Sequence, residues 1–145
     1  MIRTILLVKD SEDDVLFIRR ALKLTGATLS HQIATDGQVA IDYMSGAGQF
    51  ADREKYPLPS MVLLDLKLPR VLGLDVLKWI RARREFSNIP VIIMTGSKER
   101  ADWERGYRLG ANSYMVKPSS VDELMALAKC LTDYWFKYST LPQVP

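Results

Sequence analysis

The chain predicts an α/β fold in which five βα units wrap one parallel sheet, and three observations predict it. Short apolar runs alternate with longer segments of helical spacing from one end to the other. Several of those runs are apolar throughout, as strands covered on both faces of a parallel sheet must be. A length of 145 residues, 48% of them hydrophobic, supplies one core and leaves no room for a second folded domain.

The first strand runs from Thr4 to Val8. Its helix, Asp13 to Leu24, opens on Ser11-Glu12-Asp13-Asp14, which has capping-box form, and Gly26 can end it. The second strand, Leu29 to Ala34, is broken from the helix Val39 to Met44 by Asp36-Gly37. The stretch from Gly46 to Pro59, with Gly48, Pro57 and Pro59, reads as a surface insertion and not as a domain boundary. The third strand, Met61 to Leu64, precedes a helix from Leu74 to Arg84, and the fourth, Val91 to Met94, a helix from Arg100 to Leu109. The fifth, Ser113 to Val116, precedes a long helix from Val121 to Tyr138. In it Leu124, Leu127, Ala128, Leu131, Tyr134, Trp135 and Tyr138 share one apolar face, which Met125 and Phe136 widen beyond what the sheet needs. The chain therefore divides into a domain over 1–138 and a C-terminal arm over 139–145, whose prolines cannot continue the helix.

Charge and cysteine content exclude several classes of function. The 20 basic and 17 acidic side chains leave a net charge of +3 with no Lys/Arg run, so neither nucleic acid nor a membrane surface is indicated. No secretory leader or membrane-spanning stretch is evident, and a cytoplasmic location is expected. Cys130 is the lone cysteine, and its apolar helical setting makes a buried thiol the default. His31 reads as a partly buried strand residue, and Trp79 and Trp103 fit helix packing or the surface.

The chemistry is expected where the carboxyl ends of the strands converge. Asp65 closes the run Met61-Val62-Leu63-Leu64, where an ionisable side chain is costly unless the site uses its charge. Lys9 and Asp10 follow the first strand, Thr95, Gly96 and Ser97 the fourth, and Lys117-Pro118 the fifth. Asp10, Asp65 and a loop carbonyl are hard ligands suited to Mg²⁺, while a threonine hydroxyl and a lysine ammonium suit phosphoryl oxygens. Together they describe phosphoryl transfer onto a carboxylate.

In these motifs the chain resembles the receiver domains of two-component response regulators. The resemblance rests on Leu6-Leu7-Val8-Lys9-Asp10, Leu64-Asp65-Leu66-Lys67-Leu68-Pro69, Met94-Thr95-Gly96-Ser97 and Tyr114-Met115-Val116-Lys117-Pro118, in that order. It implies a doubly wound, flavodoxin-like sheet with strand order 2-1-3-4-5 and an extended C-terminal helix and arm. It implies that Asp65 is phosphorylated, that Asp10, Asp65 and the Lys67 carbonyl bind Mg²⁺, and that Thr95, Tyr114 and Lys117 are the switch hydroxyl, switch aromatic and phosphate partner. A cis Lys117-Pro118 bond is implied as well. Asp65-Leu66-Lys67-Leu68-Pro69, Gly110-Ala111-Asn112-Ser113-Tyr114 and Leu131-Thr132-Asp133-Tyr134-Trp135-Phe136 most resemble stand-alone regulators paired with phytochrome-type histidine kinases.

One departure stands out: the family's first-strand acid pair is Lys9-Asp10 here. A fixed ammonium opposes a divalent ion, so Lys9 is expected either to weaken Mg²⁺-dependent phosphorylation or, by pairing with Asp10 and Asp65, to fill the cation's place. Asp13 and Asp14 lie near enough to compensate, although helix capping suits them better. Lys67 could crowd the water that attacks a phosphoryl group. The expected protein is thus not an enzyme beyond slow self-catalysed phosphorylation and dephosphorylation. Its partners would be a histidine kinase, a downstream protein of unstated identity and a second copy of itself, held through Tyr134, Trp135, Phe136, Tyr138 and Leu141. A pseudo-receiver that binds or dimerises without phosphate has Lys9 as its support. An aspartyl phosphatase would need an acid where Lys67 stands, and a flavodoxin-like cofactor binder a phosphate cradle where the acidic Lys9-Asp10-Ser11-Glu12-Asp13 lies.

Overall fold

The computed structural model describes residues 3–26 and 28–142. The strands β1 (Arg3–Val8), β2 (Leu29–Ala34), β3 (Met61–Leu64), β4 (Val91–Thr95) and β5 (Ser113–Val116) form one parallel sheet in the order 2-1-3-4-5. Helices α1 (Glu12–Leu24), α2 (Gly37–Ser45), α3 (Gly73–Arg81), α4 (Arg100–Arg108) and α5 (Val121–Thr132) follow them in turn. This is the doubly wound architecture implied by the sequence, with most strand and helix ends where expected and the rest, the C-terminal ends of α3 and α5 excepted, shifted by a residue or two.

Strand parity explains why the central runs are apolar without a break. Leu6, Val8, Val62, Leu64, Val91 and Ile93 face a core completed by α2 and α3, through Tyr43, Met44, Val76, Leu77 and Ile80. Their neighbours Ile5, Leu7, Met61, Leu63, Ile92 and Met94 face a second core, closed by Ile18 and Leu22 of α1 and Leu124, Ala128 and Leu131 of α5. Each fully buried aliphatic side chain contributes roughly 1.5–3 kcal/mol, so neither face tolerates a polar interruption. In these central strands polar residues are therefore displaced to the ends. Among the described residues no helix is long and apolar enough to cross a membrane.

Three local expectations are corrected, and the surface insertion after α2 proves to be anchored by its own side chains. The helix expected to reach Arg84 ends at Arg81, because Phe86 turns inward to stack on Trp79 at 6.0 Å and a short 3₁₀ turn, Arg84–Phe86, intervenes. The stretch after α2 is tightly anchored: the Arg53 guanidinium donates to the Tyr43 and Met44 carbonyls, both at 2.8 Å, while Tyr43, Phe50 and Tyr56 pack ring against ring. The last helix is α-helical only to Thr132 and continues as wider π-helical turns over Asp133–Tyr138. The buried Thr132 hydroxyl donates to the Ala128 and Lys129 carbonyls, at 3.0 and 3.1 Å, and so competes with the helix's own ladder at the point of change. Cys130 is exposed, because the buried stripe of α5 passes through Leu124, Ala128 and Leu131.

The expected arm and dimer residues divide. Trp135 and Phe136 pack partly on the second core, and Leu141 is buried by its own chain, which covers an apolar side chain without needing a partner. Tyr134 and Tyr138 remain exposed, at 58% and 72%. The end of the arm, 143–145, lies outside the described residues.

Candidate functional site

Register brings the functional strand ends level. Val8 pairs with Leu64, Leu64 with Ile93, and Thr95 with Val116, so Lys9, Asp65, Thr95 and Lys117 emerge along one edge of the sheet. All of these but the buried Lys9 border a cleft of about 720 Å³, which Asp10, Asp14 and Lys67 also help to line. The Asp65 N–H donates to the Val8 carbonyl at 3.0 Å, which carries the β1–β3 pairing up to the acid itself. Its carboxylate is asymmetric: Oδ1 accepts from the N–H groups of Leu66 and Lys67, at 2.7 and 3.4 Å, and Oδ2 is turned toward Lys9.

Gly73 holds this turn in place. A Cβ at Gly73 would fall 2.0 Å from the Asp65 carbonyl oxygen and 2.7 Å from Leu66 Cα, so α3 begins against the backbone of the acceptor. Its N–H donates to the Leu66 carbonyl at 2.9 Å. Between them, Arg70 takes a positive φ of 67° and reaches Asp36, the N-cap of α2, at 3.4 Å.

Lys9 does not swing into solvent. Its side chain is wholly buried, crosses the end of β3 and donates to the Met94 carbonyl of β4 at 2.5 Å, with its ammonium 3.8 Å from Asp65 Oδ2. Burial pushes its pKa below the usual lysine range, against the opposing pull of Asp65 and then Asp14. Of the two carboxylates expected to pair with it, Asp65 does so in the structure; Asp10 lies exposed at the rim.

Lys117 pairs with Asp14 across the cleft. Asp14 was expected to serve the α1 cap; Ser11 does so, accepting the Asp14 N–H at 3.3 Å, and the Asp14 carboxylate is left free to hold Lys117. The two residues are 103 positions apart, and no local pattern joins them. The Lys117–Pro118 peptide is trans, not cis as the resemblance implied, since no described peptide bond is cis.

Thr95 is buried, and its hydroxyl accepts the Ser97 N–H at 3.4 Å. Ser97 in turn accepts the Tyr114 hydroxyl through its carbonyl at 2.9 Å and donates through its own hydroxyl to Asp102 at 2.5 Å. Ser97 thus joins the threonine, the aromatic and the start of α4, a hub that sequence reading placed at a strand end without a role. Burial raises the Tyr114 pKa, which its hydrogen bond to Ser97 partly offsets.

The donors a divalent cation would use, Asp10, Asp65 and the Lys67 carbonyl, are all in the chain, yet the site as built does not fit one. An ion bound to Asp65 Oδ2 at about 2.1 Å would lie within about 6 Å of the Lys9 ammonium, a repulsion of roughly 5 kcal/mol at an effective dielectric near 20. Among the described residues no group of three or more His, Cys, Asp or Glu side chains is placed to hold a metal ion.

A family model for the response regulator receiver domain matches residues 5–129. The chain belongs to the response regulator receiver family. It is 36% identical to a probable methanogenesis regulatory protein, FilR2, of Methanothrix harundinacea over 141 residues, 95% of this chain and 86% of that protein. It is 32% identical to the response regulator Rcp1 of Synechocystis sp., over 97% of this chain and 93% of Rcp1. The crystal structure of the phosphorylated cyanobacterial phytochrome response regulator RcpA superposes with a TM-score of 0.93 at 29% identity, covering 99% of this chain and 100% of RcpA. Rcp1 itself has been solved in a Mn²⁺-bound form, with a TM-score of 0.89, 30% identity and coverage of 97% and 99%. The receiver's relatives include phytochrome-associated single-domain regulators, the subgroup its motifs most resemble.

Proposed function

We propose that this receiver takes a phosphoryl group on Asp65 from a histidine kinase, a phytochrome by analogy with RcpA, and signals through phosphorylation-dependent contacts with another protein. The observation that carries the reading is the convergence of Asp10, Asp65, Thr95 and Lys117 on one cleft at the carboxyl edge of the sheet. In the transfer Asp65 Oδ2 forms the new bond to phosphorus, the phosphorus–nitrogen bond of the kinase phosphohistidine breaks, and the imidazole nitrogen leaves with the bonding pair. Lys117, drawn from Asp14, and the Thr95 hydroxyl then meet the phosphoryl oxygens. Movement of Thr95 releases its contact with Ser97, and through Ser97 reaches Tyr114 and the face formed by α4, β5 and α5. In this reading the protein is not an enzyme, works in the cytoplasm and pairs with a second copy through its exposed C-terminal tyrosines.

The experiment is intact-protein mass spectrometry after acetyl phosphate or kinase treatment, with Asp65→Asn as control. A gain of one phosphoryl group that vanishes in the variant is expected. A wild-type chain that gains none under any condition supports instead a phosphate-independent binding or dimerisation module, the reading that the buried Lys9 favours.

A further inference from the structure

We propose that Lys9 is the resident cation of the Asp65 site, its ammonium standing in the place of a divalent ion, so that Asp65 is phosphorylated without added metal. The inference rests on the reading of Asp65 as phosphoacceptor and extends it to what neutralises the acid. Three observations carry it. The lysine stem is buried along its whole length, so the ammonium has no path to bulk solvent without leaving its place. Its head is fixed from two sides, by the Met94 carbonyl at 2.5 Å and Asp65 Oδ2 at 3.8 Å. Oδ1 of the same carboxylate is engaged by the Leu66 and Lys67 N–H groups, so the oxygen left facing the ammonium is the one left to react.

The anchor is on β4, the strand that carries Thr95. The charge beside the acceptor is thus bolted to the strand whose hydroxyl meets the incoming phosphoryl group. With acetyl phosphate as donor, Asp65 Oδ2 bonds to phosphorus, the phosphorus–oxygen bond to the acetyl group breaks and acetate departs with the electron pair. An ammonium beside Oδ2 loses its closest counter-charge as the acyl phosphate forms and turns to the phosphoryl oxygens, without any ion having to enter or leave.

Mn²⁺ binding, followed by the electron paramagnetic resonance of the free ion, tests this directly, together with acetyl phosphate labelling in EDTA and in Mg²⁺. The wild-type chain is expected to show no saturable Mn²⁺ binding into the millimolar range and equal labelling with either additive. Lys9→Glu is expected to bind Mn²⁺ at least tenfold more tightly, to lose that binding when Asp65→Asn is added, and to label only with Mg²⁺. Lys9→Met, an apolar replacement suited to a buried stem, removes the repulsion without adding a ligand and serves should Lys9→Glu fail to fold; a partial gain in Mn²⁺ affinity is expected. Wild-type binding of Mn²⁺ as tight as that of the Lys9 variants, or wild-type labelling that requires Mg²⁺, overturns the proposal. A lysine that merely braces β1 to β4 would alter melting temperature in these variants and leave both metal readouts unmoved, which also overturns it. A wild-type chain that excludes Mn²⁺ yet is never labelled overturns the phosphoacceptor reading, and metal-free labelling with it, and leaves standing only that Lys9 occupies the cation's place.

Discussion

At the scale of single residues, the site is governed by which charges reach which, and two of the pairings can be tested. Asp14 holds Lys117 in the unphosphorylated chain, so the ammonium must be released before it can meet a phosphoryl group. A partly exposed pair of this kind is worth up to about 1 kcal/mol. Asp14→Asn should accordingly speed acetyl phosphate labelling of Asp65 by up to about fivefold, read by mass spectrometry over time, and an unchanged rate would show that Asp14 does not compete. Tyr43 offers a pH test of the packing behind the site. Burial, against the pull of Arg53 and with a small push from Tyr56, raises its pKa from 10 to about 12. The folded phenol keeps its proton where the unfolded one has lost it, so the stability it contributes is complete below pH 10 and is lost between pH 10 and 12, by up to about 3 kcal/mol. Tyr43→Phe also loses the bond to the Pro57 carbonyl, at 2.7 Å. It should therefore be about 1 kcal/mol less stable than wild type at pH 7 and become the more stable of the two above about pH 11, as chemical denaturation at each pH would report. That Lys9 departs from its family's pattern was legible in the sequence; that it crosses β3 to Met94 was not, because nothing local encodes a contact 85 residues away.

At the scale of elements, strands were easier to place than helix ends, and the reason is physical. A strand buried on both faces admits only apolar residues, so β3 and its terminating Asp65 stand out, whereas the half-buried edge strands β2 and β5 are marked by the turn signals around them. Helix ends depend on side chains that reach elsewhere: Phe86 shortens α3, and the Thr132 hydroxyl changes the pitch after α5. The contact between α3 and the acceptor turn is likewise tertiary, and Gly73 alone permits it. Gly73→Ala should cost about 1–3 kcal/mol, as overpacking does, and should depress Asp65 labelling under conditions where the variant remains folded. Gly26→Ala is the comparison. Gly26 has φ +75° and nothing within 4 Å of an added Cβ, so its replacement should cost about 1 kcal/mol and leave labelling intact. Urea denaturation with parallel mass spectrometry separates the two, and equal labelling in both variants would show that α3 does not position the acceptor.

At the scale of the whole molecule, the alternation of strands and helices made the fold readable from end to end, whereas the surface by which one copy meets another is readable only in part. The excess of aromatic residues after Leu131 was visible in the sequence, and the structure sorts it: Trp135 and Phe136 serve the chain's own core, leaving Tyr134 and Tyr138 outward. Tyr134 borders a cleft with Met115 of β5 and Cys130 of α5, and Tyr107 of α4 and Val116 of β5 are also exposed. An interface between copies needs roughly 800 Å² from each, of which the two tyrosines, at 58% and 72% exposure, would supply part. If they are its anchors, truncating both should cost at least about 2 kcal/mol of association, a weakening of about thirtyfold or more. Sedimentation equilibrium of the wild-type chain and of Tyr134→Ala combined with Tyr138→Ala measures this, and because both side chains are exposed the variant should melt within about 0.5 kcal/mol of wild type. A wild-type mass that stays monomeric across the concentration range would remove the dimer from the proposed function and leave the two tyrosines as a surface for the downstream protein.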